Sequence, residues 1–256
     1  MERWFCSKRF GGILWHFVFA GLFIGLSLLL LDVLEGVTWY LVSSALRILF
    51  GAAILAVSAK LFGEGWRDIL SFRNAKGALL SGTGFLLFFV YYLVTVASGF
   101  GGITGLTPGI FLSKVLLQQI VTGFYEELNY RYLLLKGIKH IRNSVGVKLV
   151  FVLGSAVLFG VLHCVTGWST YTFLQTGAIG FAFAVIFVIS GNLVIPMLLH
   201  FLYDVFANLA PFVIWNHTPL FDSLNAAFEI MLAVMFTVSL IILVLNDRRT
   251  AHPSAS

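Results

Sequence analysis

The stretch GFYEELNYRYLLLKG, residues 123–137, sets Glu126, Glu127 and Arg131 in a run otherwise apolar enough to cross a membrane. Each charge placed in hydrocarbon costs on the order of 2.5–3.5 kcal/mol, so three on one segment need partners or a task. Glu127 and Arg131 stand four residues apart, the spacing at which a carboxylate and a guanidinium meet along a helix, and are expected to pair. Glu126 is then left without a local cationic partner. Wound at about 100° per residue, Gln118, Gln119, Thr122, Glu126 and Asn129 form one polar stripe that must face protein or water. A carboxyl group turned into such a stripe is placed for proton exchange. Taken alone, this helix fits equally well a buried ion pair with a glutamate serving as glue between helices.

Two further segments add to it. LFGVLHCVTG places Phe159 and His163 four apart, with Ser155 and Thr166 on the same side. IPMLLHFLYDVFANL places His200, Asp204 and Asn208 at successive steps of four, again on one face. A lone histidine on an apolar helix is more often a satisfied core residue, because its ring nitrogens bond their neighbours. Two histidines, a glutamate and an aspartate on separate segments point instead to chemistry. Glutamate and histidine around one water form a general-base arrangement for attack on a carbonyl. The same side chains, Glu126, His163 and His200, could alternatively hold a divalent metal such as zinc that activates the water; without a metal no cofactor is needed. No G-x-S-x-G elbow and no H-E-x-x-H occurs, which excludes serine hydrolases and zincins of the usual kind.

The elements that must position these residues are transmembrane helices. Of 256 residues, 59% are hydrophobic and 11% charged, and the mean hydropathy is +0.98. That is more apolar material than a water-soluble core can hide. About eight stretches have spanning length, near 13–34, 38–62, 78–98, 110–135, 147–166, 170–190, 192–214 and 224–245, so the fold expected is an all-α polytopic bundle with its site inside. The sixth and seventh nearly fuse, and Gly191, Asn192 and Pro196 predict a turn between them.

Arg3, Lys8, Arg9, Lys60, Arg67, Arg73, Lys76, Lys136, Lys139, Arg142, Lys148, Arg248 and Arg249 fall on one side of an eight-helix chain. The positive-inside rule makes that side cytoplasmic and puts both termini there, in a multi-pass protein of the cell membrane. The net charge of +5 follows from this bias and is no nucleic-acid footprint. Residues 64–77 read as an amphipathic helix on the inner membrane surface, and 246–256 as a disordered tail. Cys6 and Cys164 are kept apart by this topology, so no disulfide is expected; Cys6, beside the membrane, is read as an unmodified thiol. Arg47 and Glu229, inside the second and eighth spans, read as a snorkelling arginine and a helix-end glutamate. The whole of 1–256 reads as one integral membrane domain, with its motif region at 110–210.

E-E-x-x-x-R (Glu126, Glu127, Arg131), F-x-x-x-H (Phe159, His163) and H-x-x-x-D (His200, Asp204), in this order on successive helices, resemble the CPBP family. This group takes in CAAX-processing and bacteriocin-related intramembrane proteases, is also called the Abi family, and includes the type II CAAX prenyl endopeptidases. The resemblance implies an intramembrane endopeptidase acting on a membrane-bound or lipidated protein or peptide in the lipid bilayer. It makes Glu126 the general base, His163 the residue that holds the water with it, and His200 the oxyanion's partner. The family name says metalloprotease, whereas its prenyl endopeptidases resemble metal-independent enzymes, and the metal stays open. The family usually has asparagine where Asp204 stands, and an ionised aspartate cannot donate to an oxyanion. Asp204 could accept a bond from His200, ligate a metal or stay protonated, with Asn208 one turn on as an alternative donor. Tyr132 stands where many members have glycine. Members also include immunity and scaffold proteins, so a non-catalytic role is the alternative.

Overall fold

A computed structural model describes residues 10–136 and 144–251. Arg3, Cys6, Lys8, Arg9, Lys139, Arg142 and the tail beyond 251 lie outside the described residues, as do the side chains of Arg248 and Arg249. In chain order the elements are α1 (Gly11–Leu31), α2 (Gly36–Phe62), α3 (Trp66–Ile69), α4 (Ala75–Ser81), α5 (Thr83–Gly99), β1 (Phe100–Ile103), α6 (the helical run 108–136), α7 (Val145–His163), α8 (Thr170–Ser190), α9 (Val194–Leu209), β2 (Val213–Trp215), α10 (Pro219–Ala226) and α11 (Phe228–Ala251). The protein is an all-α polytopic membrane protein, because in lipid a helix meets every backbone hydrogen-bonding need within its own segment.

Among the described residues six helices are long and apolar enough to span, and α4 with α5, bent by 69°, makes a seventh as a broken pair. The count is therefore six to seven, not the expected eight. The difference lies in 110–135. That stretch is helical throughout, but it changes winding four times: Pro108–Ile110 is α, Phe111–Leu117 π, Gln118–Glu126 α, Glu127–Leu133 π and Leu134–Lys136 α. Its second half is buried by protein rather than lipid, with Glu127, Leu128, Asn129, Arg131 and Leu133 fully covered.

The amphipathic surface helix expected over 64–77 is also corrected. It breaks into α3 and the start of α4, because Asn74 takes a left-handed conformation (φ 55°) that a continuing helix cannot hold. The turn predicted after the sixth span is present: Gly191 closes α8 at φ 69°, its N–H donating to Phe187 O at 2.8 Å.

The chain divides into two compact units. The first is drawn from Met1–Phe72, Phe100–Gly137 and Leu193–Trp215, and so holds α1, α2, α3, α6, α9 and both strands. In it α6 packs against α1, α2 and α9. Thr107 caps α6 by accepting from Ile110 N at 3.3 Å, with Pro108 in the first turn where no amide is needed. The antiparallel ribbon of β1 and β2 pairs Ile103 with Val213 and Phe100 with Trp215. Since β1 leads into α6 and β2 follows α9, the ribbon fixes the start of one helix beside the end of the other. Lower down, Gly123 lets these helices touch backbone to backbone: a Cβ there would lie 2.9 Å from Met197 O. At the far end of α6, Tyr132 donates to Glu64 Oε2 at 2.7 Å and Lys136 Nζ pairs with Glu64 Oε1 at 2.6 Å.

The second unit is drawn from Arg73–Gly99, Ile138–Asn192 and Asn216–Ser256, and holds α4, α5, α7, α8, α10 and α11. Its centre is the α7–α8 hairpin, packed closely where Gly160 faces Phe173 and Gly180 faces Phe159. Asn74 and Asn192 tie its turns, donating to Ser190 O at 3.0 Å and Arg73 O at 2.7 Å.

Gly123→Ala is expected to force α9 away from α6, since the neighbour it meets is a backbone carbonyl that cannot rotate aside. Overpacking of this kind costs about 1–3 kcal/mol. Thermal unfolding of the detergent-solubilised protein should show the loss as a lowered midpoint.

Candidate active site

In the first unit, α6 and α9 cross at Gly123, and one turn further along α6 the side chains of Glu126 and Glu127 meet His200. Glu127 and Arg131 form the ion pair that their spacing allows, Arg131 Nε to Glu127 Oε2 at 3.2 Å, both fully buried. Glu127 does more than neutralise Arg131. Its second oxygen, Oε1, lies 3.0 Å from His200 Nδ1, so one carboxylate bridges the guanidinium and the imidazole. The other ring nitrogen, Nε2, lies 3.3 Å from Asp204 Oδ2 and 3.7 Å from Glu126 Oε2.

His200 thus sits among three carboxylates and is itself only 4% exposed. Carboxylate oxygens accept, so satisfying both ring nitrogens takes two protons: either the imidazole carries both, or one carboxyl group carries its own. The Nδ1 contact is the tighter and lies deep in the protein. The Nε2 side is looser and faces the two acids whose surroundings are partly open. Asp204 lies against His200 Nε2 and Asn208 spends its amide on the Asp204 backbone carbonyl at 2.9 Å. Asn208 therefore donates within its own helix in this structure and not into the acid cluster.

The polar stripe is not one face. Gln118 donates to Ser43 Oγ of α2 at 3.4 Å and Gln119 to Lys114 O at 2.8 Å. Asn129 turns to α1, where its carbonyl oxygens, backbone and side chain, each lie 3.2 Å from His16 Nδ1. Both are acceptors, so His16 donates. Asn129 in turn donates to the Tyr125 hydroxyl at 3.3 Å, and Tyr125 to Phe19 O at 3.2 Å. The cause is the π segment that begins at Glu127: bonding i to i+5 turns the chain by less than 100° per residue and carries Asn129 farther from the Glu126 face.

His163 and Phe159 belong to the second unit. His163 ends α7, its Nδ1 2.7 Å from Phe159 O and its ring stacked at 4.3 Å on the buried Phe159 ring. A carbonyl can only accept, so Nδ1 carries a proton and donates to it, which leaves Nε2 as the edge of the ring turned away from that bond in either protonation state. Thr166, expected on the same face, lies past the end of the helix.

Two functional candidates escaped the sequence reading. His16 is fully buried and anchors the π segment through Asn129. Arg47 is no snorkelling residue: it donates to the backbone carbonyl and the hydroxyl of Ser43 and lies over the Phe23 ring at 4.7 Å. Its signal was the i+4 series Ser43, Arg47, Gly51, small or polar residues inside an apolar span.

The residues do not fit a resident metal in this arrangement. Both nitrogens of His200 face carboxylates, and among the described residues no group of three or more His, Cys, Asp and Glu is arranged to hold an ion.

Residues 107–206, which carry all three motifs, match the family model of Rce1-like type II CAAX prenyl endopeptidases. The match over this segment supports a relation to the CPBP family of CAAX-type proteases. No match was found among curated proteins or among solved structures.

Arg131→Met should destabilise the protein by about 3–5 kcal/mol, because it leaves a buried carboxylate without its cation. Combining it with Glu127→Gln should cost less than the two single changes added, and unfolding of the four members of the cycle measures the coupling.

Proposed function

We propose that this chain is an intramembrane endopeptidase that hydrolyses a peptide bond of a membrane-associated or lipidated protein or peptide, reached from the cytoplasmic side. The observation that carries the reading is His200, held at Nδ1 by Glu127 with Nε2 directed at Glu126 and Asp204, inside the segment that matches the prenyl endopeptidases. Glu126 takes a proton from water as its oxygen attacks the scissile carbonyl. The tetrahedral oxyanion that forms receives a hydrogen bond from His200 Nε2–H. On collapse the carbon–nitrogen bond breaks, and the proton held by Glu126 passes to the departing amine, which leaves Glu126 ready to act again. Glu127 and Arg131 act through His200, fixing its ring, and do not touch the substrate. The family resemblance gives His163 a part in handling the water, which suits a ring held through Nδ1 with its Nε2 edge turned away from that bond.

The basic loops support a place in the cell membrane with cytoplasmic termini, and the family match supports a membrane-associated or lipidated protein or peptide as substrate. Asp204 favours one second reading. Where an asparagine would donate, a carboxyl group lies against His200, which a non-catalytic immunity or scaffold protein of the same family would tolerate.

Purified protein in liposomes, given lipidated and unlipidated peptides, separates the two. Glu126→Gln, His163→Ala and His200→Ala should each lower turnover by about 10²–10⁴ with the protein still folded. Undiminished cleavage in Glu126→Gln would remove the protease mechanism, and absence of cleavage with an unaltered cellular phenotype in that variant would favour the scaffold.

A further inference from the structure

One face of α1 follows the second half of α6. Gly12, His16, Phe19 and Phe23 recur at steps of four, three and four, the period that keeps residues on one side of a helix. Their partners on α6 run the opposite way. A Cβ at Gly12 would collide with Leu133 O, His16 Nδ1 lies 3.2 Å from Asn129 O, and the Tyr125 hydroxyl donates to Phe19 O at 3.2 Å. The Tyr125 ring also packs 4.8 Å from that of Phe23. Asn129 and Leu133 both belong to the π segment Glu127–Leu133.

Glu127 and Arg131 each stand two residues from a position that meets α1, about half a turn round the helix. α1 therefore holds the back of the π segment, and the Glu127–Arg131 pair with His200 stands at its front. Rotation of the segment about its own axis decides where the Glu127 carboxylate points.

His16 makes the bond that can fix this rotation. It is fully buried, and its Nδ1–H is shared between the backbone and side-chain oxygens of Asn129, each at 3.2 Å. Its Nε2 is buried with no hydrogen-bond partner. An unmet buried polar atom is destabilising, and an apolar side chain would fill the space without it, so packing does not account for a histidine here. The Nδ1 bond does. A side chain that enters the backbone ladder is one of the causes of departure from regular α winding, and His16 enters it at Asn129 O, inside the π segment.

We propose that His16 is a positioning residue of the active site: its Nδ1–H, bonded to both oxygens of Asn129, keeps residues 127–133 in π winding and so turns Glu127 to hold His200 Nδ1. The proposal rests on the hydrolase reading above, to which it adds a first helix that acts on the site through α6 and touches neither substrate nor His200.

The test is cleavage of a lipidated peptide by the full-length protein in liposomes, with kcat and KM separated and kcat counted per folded molecule. His16→Leu removes the donor and keeps apolar atoms in the space. Its kcat should fall about 10²-fold, the loss that follows when a group of the site is held about 1 Å out of place, with KM unchanged. His16→Asn should restore the wild-type kcat, because its side-chain N–H stands where the Nδ1–H of histidine stands. A role in packing alone would leave the asparagine variant at least as poor as the leucine one. Wild-type kcat in His16→Leu, or a His16→Asn that fails to fold or loses as much, overturns the proposal. Should His16→Leu not fold, His16→Met takes its place with the same expected loss, and if that also fails to fold, His16 serves stability and the proposal falls. Glu126→Gln run in parallel keeps the two readings apart. Normal cleavage there, or none by the unaltered protein, removes the hydrolase reading and this inference with it, whereas an inactive Glu126→Gln beside a fully active His16→Leu removes the inference about His16 alone.

Discussion

A buried carboxylate must find positive charge or donors within hydrogen-bond reach, and in this chain the Glu127 carboxylate meets that demand twice. One oxygen takes the guanidinium of Arg131 and the other the ring of His200. Water cannot stand in for either partner at full burial, so α6 and α9 are held in one relative register by the need to keep this bridge. The ribbon of β1 and β2 and the bare backbone at Gly123 serve the same end, setting where the helices start together and how closely they cross.

The π winding of α6 is part of the same solution. Glu126 and Glu127 are neighbours in sequence and point in different directions, yet one imidazole serves both because its two nitrogens lie on different edges of the ring. The wider turn that starts at Glu127 sends Asn129 to α1, where it is taken up by His16 and Tyr125. Polar groups that would crowd the acids are in this way drawn off to other helices. A helix of uniform α geometry would keep Asn129 nearer the Glu126 face.

The parts of this protein legible in the sequence are those that depend on local spacing or on composition. Apolar length announced a helical membrane protein, the four-residue step announced the Glu127–Arg131 pair, and Gly191 announced the break between α8 and α9. The number of spans was set too high at 110–135 because hydropathy does not register the changes between α and π winding that divide that run into short pieces. The surface helix at 64–77 failed for a local reason, the left-handed backbone at Asn74. Arg47 was misjudged for a non-local one, since nothing along α2 tells which helix its face will meet.

By itself, the sequence determined the class of fold, the identity of the ionisable residues that lipid would not tolerate alone, and, through their order along the chain, a resemblance to one family. Only the tertiary structure decided which acid serves which base. It made Glu127 the anchor of His200 as well as of Arg131, brought Asp204 to the other edge of the same ring, turned Asn129 away, and folded Arg47 onto Ser43 and Phe23. The physical reason is that spacing along a helix fixes only which residues share its faces. Electrostatic partners on different helices are chosen by how those helices pack, and packing here is set by backbone contacts and helix winding that no local pattern encodes.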